Sequence, residues 1–162
     1  MKMSVLYHSK SGNTKRMAEV IRDGMMSVAG VEAKAISIDE LDLDWIKESR
    51  CVVMGTPIYM ASLTAKFKMF LEKEGQGLGL AGKIGGAFAT VDYVHGGGEL
   101  GIRTILDHMM IFGMMTFSGG ISYGRPVIHL GPVAVSANIE DFYDTFKLYG
   151  QRMATKTVEV FR

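Results

Sequence analysis

A polar loop rich in hydroxyl and amide side chains follows the first apolar run of the chain. The run ends at Tyr7, residues 9–14 read Ser-Lys-Ser-Gly-Asn-Thr, and apolar residues then return at helical spacing. This order predicts a strand, a tight loop and a helix start. The first N–H groups of a helix have no partner within it and the helix dipole favours negative charge there, so we predict an anion site. The alternative is an ordinary turn whose helix is capped by Asn13 or Thr14.

The composition of this loop indicates which anion it would suit. It has neither the glycines and lysine of a Walker A loop nor the three glycines of a dinucleotide-binding turn. Hydroxyls and an amide take their place, and Gly12 allows the backbone to turn tightly. These features favour a terminal monophosphate over a buried pyrophosphate.

A second loop, residues 57–62, follows the apolar run that begins at Cys51. Pro57 fixes its φ angle and has no N–H to donate, so we expect it to mark the exit from the third strand. Tyr59 is a candidate for stacking on a flat ring, with Met60 packed beside it. The alternative is that Tyr59 is a half-exposed cap.

A third loop, residues 91–98, ends in three consecutive glycines. Such a run favours either close approach of the backbone to a ligand or a loop that moves. Tyr93 is a second stacking candidate. His95 can donate a hydrogen bond to a developing negative charge or carry a proton near neutral pH. The alternative for His95 is an ordinary exposed loop residue.

The chain as a whole alternates between apolar runs and amphipathic segments, which is typical of a parallel sheet covered by helices on both faces. We predict strands at 2–8, 32–38, 50–56, 84–91 and 114–118, and helices at 13–28, 43–49, 63–74, 98–112 and 138–158. Residues 119–137 form one long segment without a predicted element, and such segments often cover a site. In the strand order 2-1-3-4-5, strands 1, 3 and 4 are neighbours, so the three loops should meet at one edge of the sheet.

Bulk composition restricts the function classes. Residues 1–162 show no composition break and predict a single domain. A net charge of +1 gives no electrostatic reason to bind nucleic acid or an anionic membrane, and no apolar run reaches the length of a membrane span. Cys51 is the single cysteine, so no disulfide can form within the chain. With no signal peptide before the first strand and no metal-ligand spacing, we expect a soluble cytoplasmic protein without a metal site.

Five short motifs occur in an order that is typical of one protein family. They are Gly55-Thr56-Pro57, Lys68-Met69-Phe70-Leu71-Glu72, His95-Gly96-Gly97-Gly98-Glu99, Phe112-Gly113-Met114 and Tyr149-Gly150-Gln151-Arg152-Met153-Ala154. Together they resemble the flavodoxin-like NAD(P)H:quinone oxidoreductases of the tryptophan-repressor-binding-protein type, and the likeness covers nearly the whole chain. The chain departs from that family at Tyr59-Met60-Ala61-Ser62, where Arg-Phe-Gly-Asn is usual, and at Phe112, which replaces a histidine.

The resemblance implies a fold and a cofactor. The fold is α/β, a flavodoxin-like three-layer sandwich with a five-stranded parallel sheet of order 2-1-3-4-5 and helices on both faces. The cofactor is FMN, and the first loop resembles the one that holds the FMN phosphate in this family. The residues expected to bind it are Ser9, Lys10, Ser11, Gly12, Asn13, Thr14, Pro57, Ile58, Tyr59, Met60, Ala61, Ser62, Thr90, Val91, Asp92, Tyr93, His95, Gly96 and Gly97. Tyr93 and His95 are also the candidate catalytic residues.

We predict an FMN-dependent oxidoreductase in which NADH or NADPH drives two-electron reduction of a quinone-like or other small acceptor. An electron carrier surrounds its flavin with acidic residues. This chain has 17 acidic and 18 basic residues, and Asp92 is the one acidic residue of its third loop. Two alternatives stay open: a flavodoxin-type carrier served by a reductase partner, and a flavodoxin-like domain that binds a partner without redox chemistry.

The assembly of the chain is also left open by the sequence. The resembled family forms dimers and tetramers, which implies a homodimer or homotetramer here. The methionine-rich segment 108–115 suits either core packing or a subunit contact.

Overall fold

A parallel sheet with helices on both faces forms the framework of the computed structural model, which describes all 162 residues. The strands are β1 (Lys2–Tyr7), β2 (Glu32–Ser37), β3 (Cys51–Tyr59), β4 (Ser62–Leu63), β5 (Ile84–Val91), β6 (Met115–Thr116) and β7 (Val133–Val135). The helices are α1 (Asn13–Met26), α2 (Leu43–Glu48), α3 (Ala65–Lys73), α4 (Gly98–Ile111) and α5 (Tyr143–Phe161), with short 3-10 segments at Gly75–Leu78 and Ser136–Phe142.

The order of the main sheet is β2-β1-β3-β5-β6, and all neighbours along it are parallel. The predicted fourth and fifth strands correspond to β5 and β6, so the predicted order 2-1-3-4-5 is confirmed. In this order β1, β3 and β5 lie side by side, which places the loops that leave them at one edge of the sheet.

The fifth strand is divided into two short pieces. β6 pairs with the start of β5 through Ile84 and Met115, and β7 pairs with its end through Ala89 and Val133. Residues 117–132 leave the sheet between these pieces and return to it. The prediction of a wholly irregular segment at 119–137 is therefore wrong, because the segment contains β7, whose three residues are too few to show an alternating pattern.

The core lies on both faces of the sheet. One cluster packs β1, β3 and β5 against α1 and α5, and the other packs the opposite face against α2, α3 and α4. Every residue of β5 is buried, as expected for a strand covered on both sides. Cys51 is fully buried in the first cluster, and burial raises the pKa of its thiol to about 12.

The second predicted loop proves to be a β-hairpin. β3 continues three residues beyond its predicted end, and Ile58 and Tyr59 pair with Leu63 and Ser62 of β4. Pro57 lies inside β3, opposite Thr90 of β5, so the prediction that it marks the strand exit is wrong.

Two helices begin later than predicted. α3 begins at Ala65, because residues 62–63 form β4 and the Thr64 hydroxyl caps the helix by accepting a hydrogen bond from the Phe67 N–H at 3.2 Å. α5 begins at Tyr143 and not at residue 138, because Asn138 has a non-helical backbone (φ −137°, ψ 46°) inside the preceding 3-10 segment.

The methionine-rich segment divides between core and surface. Met109 and Met114 are buried, whereas Met110 and Met115 are about half exposed. Core packing therefore accounts for one pair, and the other pair remains available for a contact. None of the five helices is long and apolar enough to cross a membrane.

Candidate functional site

The three polar loops meet at the edge of the sheet where β1, β3 and β5 end. The first loop contacts β5 directly, because the Thr14 and Thr90 hydroxyl oxygens lie 2.7 Å apart and share a hydrogen bond. The second and third loops touch at Gly97, where a Cβ atom would lie 2.7 Å from the carbonyl oxygen of Ala61. The sequence-based expectation that these loops come together is confirmed.

The first loop leaves the start of α1 without a side-chain cap. The residue before the helix is Gly12, whose φ of 97° lies in the left-handed region that favours glycine. Neither Asn13 nor Thr14 caps the helix, so the alternative of an ordinary capped turn is wrong. Within the loop, the Gly12 N–H donates a hydrogen bond to the Ser9 hydroxyl at 3.1 Å. The first N–H groups of α1 are thus free to bind an anion.

The charges around this helix start are positive. No acidic residue occurs in the first turn of α1, and Lys10, Lys15 and Arg16 are exposed there. Only Arg16 has an acidic partner, Glu140, at 3.9 Å. Lys15 was absent from the predicted site, although its position in the first helical turn places its N–H among the free donors.

Thr14 plays a different part from the one expected. Its side chain is 1% exposed and turned toward Thr90, which is also buried. Both hydroxyls therefore join the first loop to β5, and Thr14 can offer an anion its backbone N–H.

The tip of the second loop is strained. Met60 and Ala61 have φ angles of 52° and 61°, in a region that non-glycine residues rarely adopt. Each such residue costs about 1–3 kcal/mol, and strain of this kind clusters at functional sites. At this strained tip the Met60 side chain is 98% exposed.

A cleft of about 470 Å³ separates this hairpin from the third loop. Its size is within the range of small-molecule and cofactor sites. Tyr93 stacks on His95 in one wall, with ring centroids 5.7 Å apart and planes within 4° of parallel. Asp92 is the one acidic residue of the lining, which consists of Ile58, Tyr59, Met60, Ala61, Val91, Asp92, Tyr93, His95 and Gly96.

The predicted site residues thus fall into three sets. The nine cleft residues were all among those predicted from the sequence. The run from Ser9 to Thr14 lies at the start of α1, outside the lining of the cleft. Four others do not line it: Pro57 and Ser62 are paired in strands, Thr90 bonds to Thr14, and Gly97 packs on Ala61. Their contact with a cofactor stays a prediction.

A second and larger cleft was missed by sequence reasoning. It measures about 810 Å³ and lies between residues 126–133, Glu99 at the start of α4, and Phe142 and Thr145 near the start of α5. The Arg152 guanidinium helps to hold its wall by donating to the carbonyls of Tyr123 at 2.8 Å and Pro126 at 2.9 Å. No local pattern could have revealed this cleft, because it depends on how the segment folds back onto α5.

The geometry fits a cofactor that combines a phosphate with a flat aromatic ring. The free N–H groups and cations of α1 suit the phosphate, and the cleft with Tyr59 and Tyr93 suits the ring. The Thr14–Thr90 hydrogen bond ties these two parts together. No group of three or more His, Cys, Asp or Glu side chains is arranged to hold a metal ion.

Comparison with known proteins identifies the family. The flavodoxin family model matches residues 5–100. A flavodoxin from Clostridium saccharobutylicum is 35% identical over 161 residues, which cover 99% of this chain and 100% of the relative. An NAD(P)H dehydrogenase (quinone) from Trichlorobacter lovleyi is 28% identical and covers 78% of this chain and 83% of its own length.

A solved structure extends this likeness to the fold. The crystal structure of a flavodoxin described as a WrbA-like protein, from Agrobacterium tumefaciens, matches with a TM-score of 0.81 at 22% identity over 98% of each chain. The resemblance inferred from the motifs and the flavodoxin-like fold are both confirmed. On its fold, its loops and its relatives, this chain belongs to the flavodoxin family.

Proposed function

We propose that the chain binds FMN, with the phosphate at the start of α1 and the ring in the cleft, and that it transfers electrons through this flavin. Family membership supports a flavin cofactor. The observation that carries the proposal is the pairing of an uncapped, positively charged helix start with an aromatic cleft at the same sheet edge. FMN would supply the redox chemistry. Tyr59 and Tyr93 would contact the ring, and His95 would hold a hydrogen bond or a proton near it.

Within this proposal we favour a flavodoxin-type electron carrier that works with a protein partner. The flavodoxin of Clostridium saccharobutylicum matches essentially the full length of this chain. Met60 of the cleft lining and Val94, which lies between Tyr93 and His95 in the chain, are 98% and 86% exposed and suit contact with another protein. This reverses the preference drawn from the sequence, because a full-length relative outweighs an argument from acidic residue counts.

The second candidate is the NAD(P)H-driven reduction of a quinone-like or other small acceptor by two electrons. It is supported by the relative from Trichlorobacter lovleyi, which is named an NAD(P)H dehydrogenase (quinone). The lining of the cleft supports it as well, since Asp92 is its one carboxylate and a carrier gains from surrounding its reduced flavin with negative charge.

One experiment separates the candidates. The purified protein is saturated with FMN, and its visible spectrum is recorded anaerobically after addition of NADH, then NADPH, then a chemical reductant in half-equivalent steps. A carrier should ignore both nucleotides and accumulate a one-electron-reduced flavin during the stepwise reduction. Rapid bleaching by a nucleotide without that form supports the reductase instead. Failure to bind FMN would contradict both.

A further inference from the structure

His8 links the end of β1 to the hairpin. It directly precedes the loop 9–14, and its backbone N–H donates to the Gly55 carbonyl of β3 at 3.1 Å. Its side chain is partly buried, and Nδ1 lies 2.9 Å from the Thr64 hydroxyl oxygen. Thr64 directly follows the hairpin, so one side chain joins the phosphate loop to the element that forms a wall of the cleft.

A row of hydroxyl groups continues this contact into the hairpin. The Thr64 hydroxyl oxygen lies 3.4 Å from that of Thr56, and the Thr56 hydroxyl donates to the Pro57 carbonyl at 2.9 Å. The neutral imidazole of His8 can accept a hydrogen bond from Thr64 at Nδ1, whereas a charged imidazole can only donate there. Protonation of His8 therefore fixes the ring as the donor in the hydrogen bond at the base of the hairpin.

The groups around His8 lower its pKa and so favour its neutral form in the absence of a ligand. Burial lowers the pKa of His8, Lys66 of α3 lowers it further, and Asp39 in the turn after β2 opposes them. Lys66 and Asp39 form an ion pair with each other at 2.5 Å, so their effects on the pKa of His8 act in opposite directions. No carboxylate forms a hydrogen bond to the ring, and the neighbouring residues of β3, Gly55 and Thr56, are uncharged.

We propose that His8 is a positioning residue that couples the phosphate loop to the hairpin and takes up a proton when the FMN phosphate enters that loop. This inference rests on the proposed binding of FMN. A phosphate dianion favours the charged form of a nearby imidazole. The charged ring would donate a hydrogen bond to Thr64, Thr64 would donate to Thr56, and Thr56 would donate to the Pro57 carbonyl. All three hydrogen bonds would then point in one direction, which stabilises the hairpin that forms a wall of the cleft.

The coupling has a definite sign. If bound FMN raises the proton affinity of His8, then by linkage a lower pH must strengthen FMN binding through His8. A rise in the pKa of His8 by half a unit to one unit corresponds to about a three- to tenfold gain in affinity between about pH 7.5 and 5.5. FMN has its own phosphate titration, so the gain is measured as the ratio of the wild-type affinity to that of His8→Gln, which cannot titrate. Riboflavin lacks the phosphate and should show no such change.

The test is a fluorescence titration with FMN and with riboflavin across this pH range, using wild type, His8→Gln and Thr64→Ser. Proton NMR follows the His8 ring with and without FMN. We expect the affinity ratio for FMN to rise toward low pH and the pKa of His8 to rise on binding. Thr64→Ser keeps the hydroxyl and should behave as wild type. Tight FMN binding with a constant ratio and an unmoved His8 titration would overturn this inference alone, whereas no FMN binding at any pH would overturn the proposed function with it.

Discussion

The helices α1 and α4 begin in the same way but in different electrostatic surroundings. Each follows a glycine in the left-handed region, Gly12 at φ 97° and Gly97 at φ 93°, and neither has a side-chain cap. By contrast, α2 and α3 are capped by Asp42 and Thr64. α5 also begins without a side-chain cap, but after Phe142 at φ −97°. An uncapped start that follows a left-handed glycine is therefore confined to the two helices that flank the candidate site.

The starts of α1 and α4 differ in the charge of their first turn and in the free space around the preceding glycine. α4 carries Glu99 in its first turn, where a carboxylate offsets the positive end of the helix dipole, whereas α1 has no acidic residue there. Gly97 is packed against the backbone of Ala61, but nothing lies within 4 Å of the position that a Cβ on Gly12 would occupy. The start of α4 thus serves a contact within the protein, and the start of α1 is open to a ligand.

The sharpest way to break this difference is to give α1 the charge that α4 has. Asn13→Glu places a carboxylate in the first turn of α1, close to the proposed phosphate. Two like unit charges about 5 Å apart at an effective dielectric constant near 20 repel by about 3 kcal/mol. After partial screening, FMN affinity should fall by about 100-fold, with little change in riboflavin affinity, in a fluorescence titration. Asn13→Gln is the matched neutral control. An FMN affinity of Asn13→Glu no weaker than that of the wild-type protein would contradict a phosphate site at α1.

The two glycines should differ in what a methyl group costs. Gly97→Ala adds backbone strain and a clash with Ala61, so we expect a loss of about 2 kcal/mol in the free energy of unfolding, measured with urea. Gly12→Ala adds the strain alone and should cost about 1 kcal/mol. Equal losses would show that the contact between the second and third loops contributes nothing.

The bond between the first loop and β5 should contribute to stability on its own. Thr14→Val leaves the Thr90 hydroxyl buried without its partner, and we expect a loss of about 1 kcal/mol in the free energy of unfolding. Adding Thr90→Val should recover part of that loss, since no polar group then remains unpaired. Additive losses in a double-mutant cycle would mean that the hydroxyls do not act as a pair.

The smallest effect concerns pH. The pKa of His8 is lowered in the folded protein, so the unfolded chain binds more protons as pH falls through the unfolded value near 6.5. Stability without FMN should therefore decline below that pH and recover above it. In urea unfolding across this range, His8→Gln should flatten the decline. A decline identical in wild type and His8→Gln would assign it to other groups.

Sequence periodicity sufficed for the succession of strands and helices, since each central strand is a continuous apolar run followed by an amphipathic helix. The order of the strands in the sheet was implied by the resemblance to flavodoxin-like proteins. The three loops could also be predicted from the sequence, because residue types such as Ser11, Gly12 and Asn13 indicate which ligand groups a loop can bind. What the sequence could not show were contacts between distant positions. His8 and Thr64 are 56 residues apart, and Thr14 and Thr90 are 76 apart, so no spacing rule connects them.

Short elements were missed for a related reason. β4 and β7 have two and three residues and depend on neighbours for their hydrogen bonds, which leaves no pattern of their own. The expected cap at Asn13 or Thr14 failed because Gly12 takes the capping position with a backbone that only glycine adopts readily.

The central claim is that the open start of α1 binds the phosphate of FMN, and the affinities of the wild-type protein for FMN and riboflavin test it most directly. The two ligands share the ring and differ in the phosphate. Free helix N–H groups with nearby cations should make FMN bind more tightly by about 100-fold or more, and the difference should shrink as salt is added. Equal affinities for FMN and riboflavin at low salt would contradict the account.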